Sequence, residues 1–291
     1  MDTLIEQLSA LAATEGDHAT AVPGLTIHRR NAPTEPLHCI YTLSVAYIAQ
    51  GEKRVFLDDI RTEIGAGQTM LTALDLPVVS HVTRATAREP FLALLYVLDT
   101  TEILNYAAKL GIEQIPRNVS YPAISVAVAD GPLCDVFERL IRLTNEPDLV
   151  PLLAPGIGTE IIVRLLTGPN GGHLLNRVSA GSPNERIGKA VTWLKRNFTE
   201  SLDIDALAAR VHMSPSTFRR HFKTITGNSP LQYQKQMRLQ EARHLMLSER
   251  QTATTAGREV GYTSMAQFSR EYRRTFGAPP KQDVERLLQT G

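Results

Sequence analysis

Residues 213–230 read MSPSTFRRHFKTITGNSP, and residues 263–280 read TSMAQFSREYRRTFGAPP, the same pattern fifty positions further on. Ser214 aligns with Ser264, Phe218 with Phe268, Arg220 with Arg270, Phe222 with Tyr272, Lys223 with Arg273, Gly227 with Gly277 and Pro230 with Pro280. Two units are too few for a solenoid, whose stacked repeats need three or more to bury a continuous core. The repeat therefore reads as two copies of one supersecondary unit.

Each copy reads as a helix with both ends marked. Ser214 suits an N-cap, Pro215 the first helical position and Gly227 the left-handed residue past the end. In the second copy Ser264 and Gln267 have capping-box spacing, and Gly277 closes the helix. At about 100° per residue, Phe218, Phe222 and Ile225 share one face, with Ser216, Arg219, Arg220 and Lys223 on the other. Phe268 and Tyr272 repeat the apolar face, and Ala266, Arg270 and Arg273 the polar one. A shorter helical pattern precedes each copy: IDALAARV, capped by Asp203, and TATTAGREV. The turns between them pass through His212 and Gly261, residues that accept a positive backbone angle. Two short helices and a tight turn, with polar groups outward on the second, form the helix-turn-helix that enters the DNA major groove. An ordinary amphipathic helical domain with a solvated basic face is the alternative, and the matched basic positions of two copies count against it.

LAARVHMS, SPSTFRRHFKTITGNSPLQYQKQMRLQEAR and GREVGYTSMAQFSREYRRTFGAPP make residues from about 185 to 284 resemble the AraC-type DNA-binding domain. The resemblance implies a linking helix, Pro230 to about Leu247, with Leu239, Ala242 and Met246 in the core. It also implies that Ser216, Arg219 and Arg220 meet base edges, with Met265, Ala266, Gln267 and Arg270 at the equivalent places in the second copy. Lys223 and Arg273 are expected on phosphates. Met265 and Ala266 depart from the polar residues often found there, which shifts the second helix toward phosphate binding. Gly257 stands where a larger apolar residue is usual and is expected to loosen that unit.

The 291 residues, 43% hydrophobic and 21% charged, suffice for two domains with separate cores. A net charge of +1 hides a division: residues 1–180 carry 13 Lys and Arg against 20 Asp and Glu, and residues 181–291 carry 18 against 10. A basic half attracts a phosphate backbone through counterion release. Double-stranded DNA is the expected partner, and no membrane is. No leader pattern opens the chain, no later stretch is read as approaching a membrane span, and Cys39 and Cys134 form no metal-ligand cluster, so a cytoplasmic protein with reduced thiols is expected.

The first seventeen residues read as an amphipathic helix with Leu4, Leu8 and Leu11 on one side. From Gly24 to Leu98 the runs LTIHR, CIYTLSVAYIA, KRVFL, TMLTAL, VVSHVT and FLALLYVL read as strands, with turns at Gln50–Glu52 and Gly65–Gly67. That density of strands suggests a small barrel or jelly roll. IAQGEKRVFL and, more loosely, TALDLPVVSHVTRATAREPFLALLYVLD resemble the cupin-like N-terminal half of AraC-type regulators. Metal-dependent cupins use an H-x-H pair that this chain lacks; His28, His38 and His81 stand alone and read as structural or surface residues. With no nucleophile elbow, phosphate loop or dinucleotide fingerprint, no catalytic residue, metal or cofactor is expected, and the chain is read as no enzyme. Cys39 reads as a small core residue, with a reactive thiol as the alternative if a nearby cation lowers its pKa.

After Leu98 the chain turns helical. TTEILNYAAKL, LCDVFERLIRLTN and GIGTEIIVRLLTG are expected helices, with the short extended run SYPAISVAV after the first. The apolar stripe Leu133, Val136, Phe137, Leu140 and Leu143 packs either on its own barrel or, as the resemblance implies is common, on a second subunit. GPNGGHLLNRVSAGSPNE reads as a linker with an ordered LLNRV centre. RIGKAVTWLKRNF opens the basic domain, with Trp193 packing rather than stacking on bases, and DVERLLQ docks last.

The fold class is therefore α+β in two domains. Residues 1–170 form a cupin-like sensor or dimerisation domain with a helical appendage, 171–184 a linker and 185–291 the DNA-binding domain. The expected function is sequence-specific transcription regulation, with activation as the output. The barrel senses a small-molecule effector, forms a homodimer, or both, and RNA polymerase is a partner if the output is activation. A nonspecific architectural DNA protein and a cupin-type enzyme tethered to DNA remain as alternatives.

Overall fold

The computed structural model describes residues 2–57, 60–112, 121–169, 171–178 and 181–290. The chain divides into two units, residues 1–186 with 224–226, and residues 187–223 with 227–291.

In the first unit the β-rich runs become β1 (Gly16–Ala19), β2 (Leu25–Arg30), β3 (Leu37–Tyr41), β4 (Ser44–Gln50), β5 (Glu52–Leu57), β6 (Ile60–Gly65), β7 (Gln68–Thr72), β8 (Leu76–Arg84), β9 (Phe91–Val97) and β10 (Ile124–Val128). They pair antiparallel in two sheets, ordered β1-β2-β9-β4-β7-β10 and β3-β8-β5-β6. The run CIYTLSVAYIA, read as one strand, divides between the sheets at Thr42 and Leu43. β1 and β6 were not expected: both are short and polar, and β6 holds its place by pairing with β5 from Glu52↔Gly65 to Leu57↔Ile60. Gly51 and Gly67 turn the chain with φ of 82° and 80°, and a Cβ on Gly51 would lie 2.6 Å from the Arg84 carbonyl oxygen.

Strand alternation gives the larger sheet two buried faces. Val45, Tyr47, Ala49, Leu71, Leu92 and Leu94 join one core with the helices, while Ala46, Ile48, Met70 and Ala93 are buried on the other face. The helices of that core include α1 (Asp2–Leu11), α2 (Thr100–Lys109), α3 (Gly131–Leu143) and α4 (Val150–Thr167). The α3 stripe is buried in its own unit, and the Phe137 and Tyr47 rings lie 5.5 Å apart. Of the two readings of that stripe, the structure takes the first.

Two expectations are corrected here. The stretch Pro147–Thr167 is long and apolar enough, by length and composition, to cross a membrane, with a mean hydropathy of 1.7 over its most apolar window. Its Ile161, Ile162, Leu165 and Leu166 lie in the first unit's core, and its charged Glu160 and Arg164 pair with each other at 2.6 Å. Pro155 sits inside the helix, which begins at Val150, six residues before the expected start at Gly156. The segment read as a linker is ordered at its expected LLNRV centre and goes further: it carries α5 (Gly171–Val178), with Leu174 and Leu175 buried in the same core. Its helical apolar spacing outweighs the Gly- and Asn-rich flanks; residues 170, 179 and 180 of that segment lie outside the described residues.

The second unit is helical, built from α6 (Pro183–Arg196) from residue 187 on, α7 (Ile204–Arg210), α8 (Pro215–Thr226) up to residue 223, α9 (Pro230–Ser248), α10 (Ala253–Glu259), α11 (Met265–Phe276) and α12 (Pro280–Thr290). Ile187, Val191 and Leu194 are buried along α6, and Leu239, Ala242 and Met246 along α9, as their spacing predicts. Trp193 is half-buried under the Arg210 guanidinium, 5.5 Å from the ring centre, which is a packing role.

Candidate nucleic-acid interface

The ends of α8 and α11 are set by the residues the repeat shares. Ser214 Oγ accepts the Thr217 N–H, Ser264 Oγ accepts the Gln267 N–H at 3.3 Å, and Gly227 and Gly277 take left-handed φ of 75° and 80°. Asp203 caps α7 by accepting from the Asp205 and Ala206 N–H groups, both at 3.0 Å. His212 turns the chain between α7 and α8 at φ 55°, and Gly261 between α10 and α11 at φ 89°. Only glycine fits the second turn, because a Cβ there would lie 2.2 Å from the Thr199 carbonyl oxygen.

Each of these helices buries an aromatic face. Phe218 packs on Phe222 at 5.4 Å, and Phe222 on Tyr233 of α9 at 5.5 Å. In the second copy Tyr262, Phe268, Tyr272 and Phe276 form a continuous run of ring contacts. The opposite faces are open. Ser216, Arg219, Arg220 and Lys223 are exposed on α8, and Ala266, Gln267, Arg270 and Arg273 on α11. Met265 differs from its expected place: it is half-buried against the second copy's core, because its sulfur fills the space beside Gly257. Gly257 does not loosen the unit. A Cβ there would meet Phe268 Cδ1 at 3.0 Å and Met265 Sδ at 3.2 Å, so the glycine lets α11 approach α10 closely.

The polar partners differ between the copies. On α8 the Arg219 guanidinium reaches Asp205 of α7 at 3.3 Å, an exposed pair. On α11 the capping box is half made: the Gln267 side chain does not return to Ser264 but donates to Glu271 Oε1 at 3.2 Å. Glu271 also accepts from Lys235 Nζ of α9 at 2.9 Å and from the Tyr262 hydroxyl at 2.8 Å. Burial pushes the Glu271 carboxyl up, and the hydrogen bonds from Lys235, Tyr262 and Gln267 outweigh it and hold the group below its ordinary value.

Three residues that position the interface were not singled out from sequence. Arg238 of α9 donates to the carbonyls of Phe198 at 2.6 Å, Glu200 at 2.7 Å and Gly261 at 3.2 Å, tying the loop after α6 to the second turn. Arg243 of α9 and Asp283 of α12 form a buried paired contact at 2.8 and 3.0 Å, to which Tyr272 donates at 2.9 Å. Charged residues at apolar helical positions were the only signal for these.

In the first unit His28 hydrogen-bonds Asp17 at 2.8 Å and the His81 ring stacks on Phe56, so both have structural partners. Among the described residues no three His, Cys, Asp or Glu side chains converge to hold a metal. Burial pushes the Cys39 thiol up to about 11.

A family model described as the AraC-type transcriptional regulator N-terminus matches residues 21–173, and a helix-turn-helix domain model matches residues 207–286. The chain belongs to the AraC-type transcriptional regulators. This AraC-type chain is 29% identical to the HTH-type transcriptional regulator ArgR of Pseudomonas aeruginosa over 132 residues, 45% of this chain. It thus spans only 40% of that relative's length. The virulence regulon transcriptional activator VirF of Yersinia enterocolitica is 26% identical over 219 residues, 70% of this chain and 76% of its own. The crystal structure of ToxT from Vibrio cholerae bound to a naphthalenyl butenoic acid shares the fold, with a TM-score of 0.56 and 12% identity over 89% of this chain and 97% of that one. The likeness therefore extends over both the N-terminal β unit and the C-terminal helical unit of this chain.

Proposed function

We propose that this AraC-type protein is a sequence-specific activator of transcription in the cytoplasm, with α8 and α11 entering the major groove. The observation that carries the reading is the duplication: two capped helices, each with aromatics buried and cations exposed on the opposite face. Arg219 and Arg220, assisted by Ser216, read bases from α8, since a guanidinium can hydrogen-bond guanine twice. Gln267, Arg270 and Ala266 face the bases from α11, and Lys223 and Arg273 hold phosphates. Met265 supports α11 from within. VirF, named a transcriptional activator, supports the direction of the output; as an activator this chain would act on RNA polymerase.

The first unit supplies regulation. A small-molecule effector is supported by the carboxylic acid held by ToxT, a protein of the same fold. A homodimer is supported by the surface of α4, where Leu152 is 75% and Leu153 49% exposed beside a groove of about 450 Å³ lined by Arg142, Leu143, Glu146 and Ile157. A ligand acts only through its difference in affinity for two arrangements of the protein. The test is a footprint of the full-length protein on genomic DNA flanking its coding region, beside Arg219→Ala. A discrete site blurred by the substitution supports the reading. Binding abolished by any competitor DNA, regardless of sequence, overturns it in favour of an architectural role.

A further inference from the structure

The two recognition helices share Arg220 and Arg270, and Lys223 and Arg273, at matched positions. Residues that are the same in both copies cannot tell one half of an operator from the other. Discrimination must come from positions that differ, and two exposed ones stand out: Arg219 is matched by Ser269, and Gln267 by Thr217. Thr217 is half-buried and its hydroxyl accepts from Ser214 Oγ at 2.9 Å, so it is committed to the cap. Gln267 is exposed and its amide is held from behind by Glu271.

That hydrogen bond bears on what Gln267 can read. A glutamine amide contacts adenine with its oxygen and one N–H, accepting from N6 and donating to N7. Its second N–H is left over. Glu271 is an acceptor that can take it, and Glu271 is itself anchored: its side chain is only 13% exposed and accepts from Lys235 and Tyr262. A carboxylate cannot donate, so it can engage only the nitrogen end of the amide and thereby fixes which end is which. The matched residue on α8 is His221, so the arrangement belongs to the second copy alone.

We propose that Gln267 reads an adenine in the half-site contacted by α11, and that Glu271, anchored by Lys235 and Tyr262, is its positioning residue. The second half-site is thereby made unlike the first. This rests on the reading of α11 as a base-contacting helix, and the test separates the two.

The experiment is selection of bound sequences from a randomised DNA library by the full-length protein, comparing wild type with Gln267→Ala, Glu271→Ala, Glu271→Gln and the Gln267→Ala/Glu271→Ala double variant. Wild type is expected to enrich an A·T pair at one position in one half-site. Gln267→Ala removes that preference by about tenfold, the scale of one paired base contact. Glu271→Ala removes most of it at the same position, leaves the other half-site unchanged, and adds nothing in the Gln267→Ala background. Glu271→Gln keeps an oxygen for the Lys235 and Gln267 N–H groups, which both reach Oε1, but loses the charge and turns an NH2 toward Tyr262, so it is expected to retain more of the preference than Glu271→Ala while the melting temperature falls. If Gln267→Ala leaves the preference intact, α11 does not read that base and the inference falls with the assignment. If Gln267→Ala removes it while Glu271→Ala keeps it, the positioning role alone is overturned. Uniform weakening of all sequences by Glu271→Ala, with no change in base preference, overturns it as well.

Discussion

The two helix-turn-helix copies of this protein have the same skeleton and different fastenings. Serine caps, glycine ends and a buried pair of aromatics recur fifty positions apart. Around them, the first copy turns through His212 and packs Phe222 on Tyr233, whereas the second turns through Gly261 and is bound to α9 and α12 by Glu271, Arg243 and Asp283. Duplicated positions hold the backbone and the common charge; the unmatched polar positions hold each copy to its neighbours. The second copy is thus the one whose stability depends on buried charge.

The largest effect expected to expose that dependence is Asp283→Ala. It leaves the Arg243 guanidinium buried with its carboxylate gone, at a cost of about 3–5 kcal/mol. Urea unfolding of the full-length protein, followed by hydrogen exchange, should show α11 and α12 losing protection before α7 and α8. Equal loss in both copies would erase the distinction.

The turns come next. Gly261→Ala places a Cβ against the Thr199 carbonyl and strains a left-handed residue, about 1–3 kcal/mol from the backbone alone. His212→Gly, at a position that already carries a side chain at φ 55°, should change stability by no more than about 1 kcal/mol, since relief of left-handed strain is offset by the greater freedom of glycine in the unfolded chain. Thermal unfolding of the pair measures the contrast directly.

A smaller effect separates reading from holding within α8. Arg219→Ala should flatten base preference by about tenfold at one position, whereas Lys223→Ala should weaken all sequences about equally and reduce the salt slope of binding by about one. Titrations at several salt concentrations, against selected and scrambled DNA, distinguish them.

Smallest is a pH effect confined to the second copy. The Glu271 carboxyl is held below its ordinary 4.5, so its contribution to stability is complete above about pH 4.5 and is lost as the pH falls through its lower folded value. Hydrogen exchange on acidification should therefore loosen the contact of α11 with α9 first, and Glu271→Gln should remove that pH dependence.

Local signals carried much of this architecture. A cap, a closing glycine and an apolar face at helical spacing each act over one or two turns, so α6 to α12 and the outward faces of α8 and α11 were legible. Met265 was not, because its half-burial depends on the absence of a side chain at Gly257, eight positions away and on another helix. The loosening expected from Gly257 failed for the same reason: a missing Cβ is a gap only if nothing moves in, and here Phe268 and Met265 do. In the first unit, β6 escaped notice because a strand with only one well-buried residue has no alternating pattern of its own. α4 extends N-terminal of the expected GIGTEIIVRLLTG run, through Pro155, a residue that usually breaks a helix interior.

By itself, the sequence determined that two capped basic helices recur, that a β-rich half precedes a helical half, and that the charge is divided between them. These follow from propensities and spacings that act along the chain. Packing between elements set the rest: the α3 stripe is buried in its own unit, the ordered centre of the linker segment is packed into the first unit's core, Met265 is half-buried beside Gly257, and Lys235 of α9 anchors Glu271. Each of those depends on which surfaces of separate elements meet, and burial and hydrogen-bond partnership are properties of the meeting surfaces rather than of either segment alone.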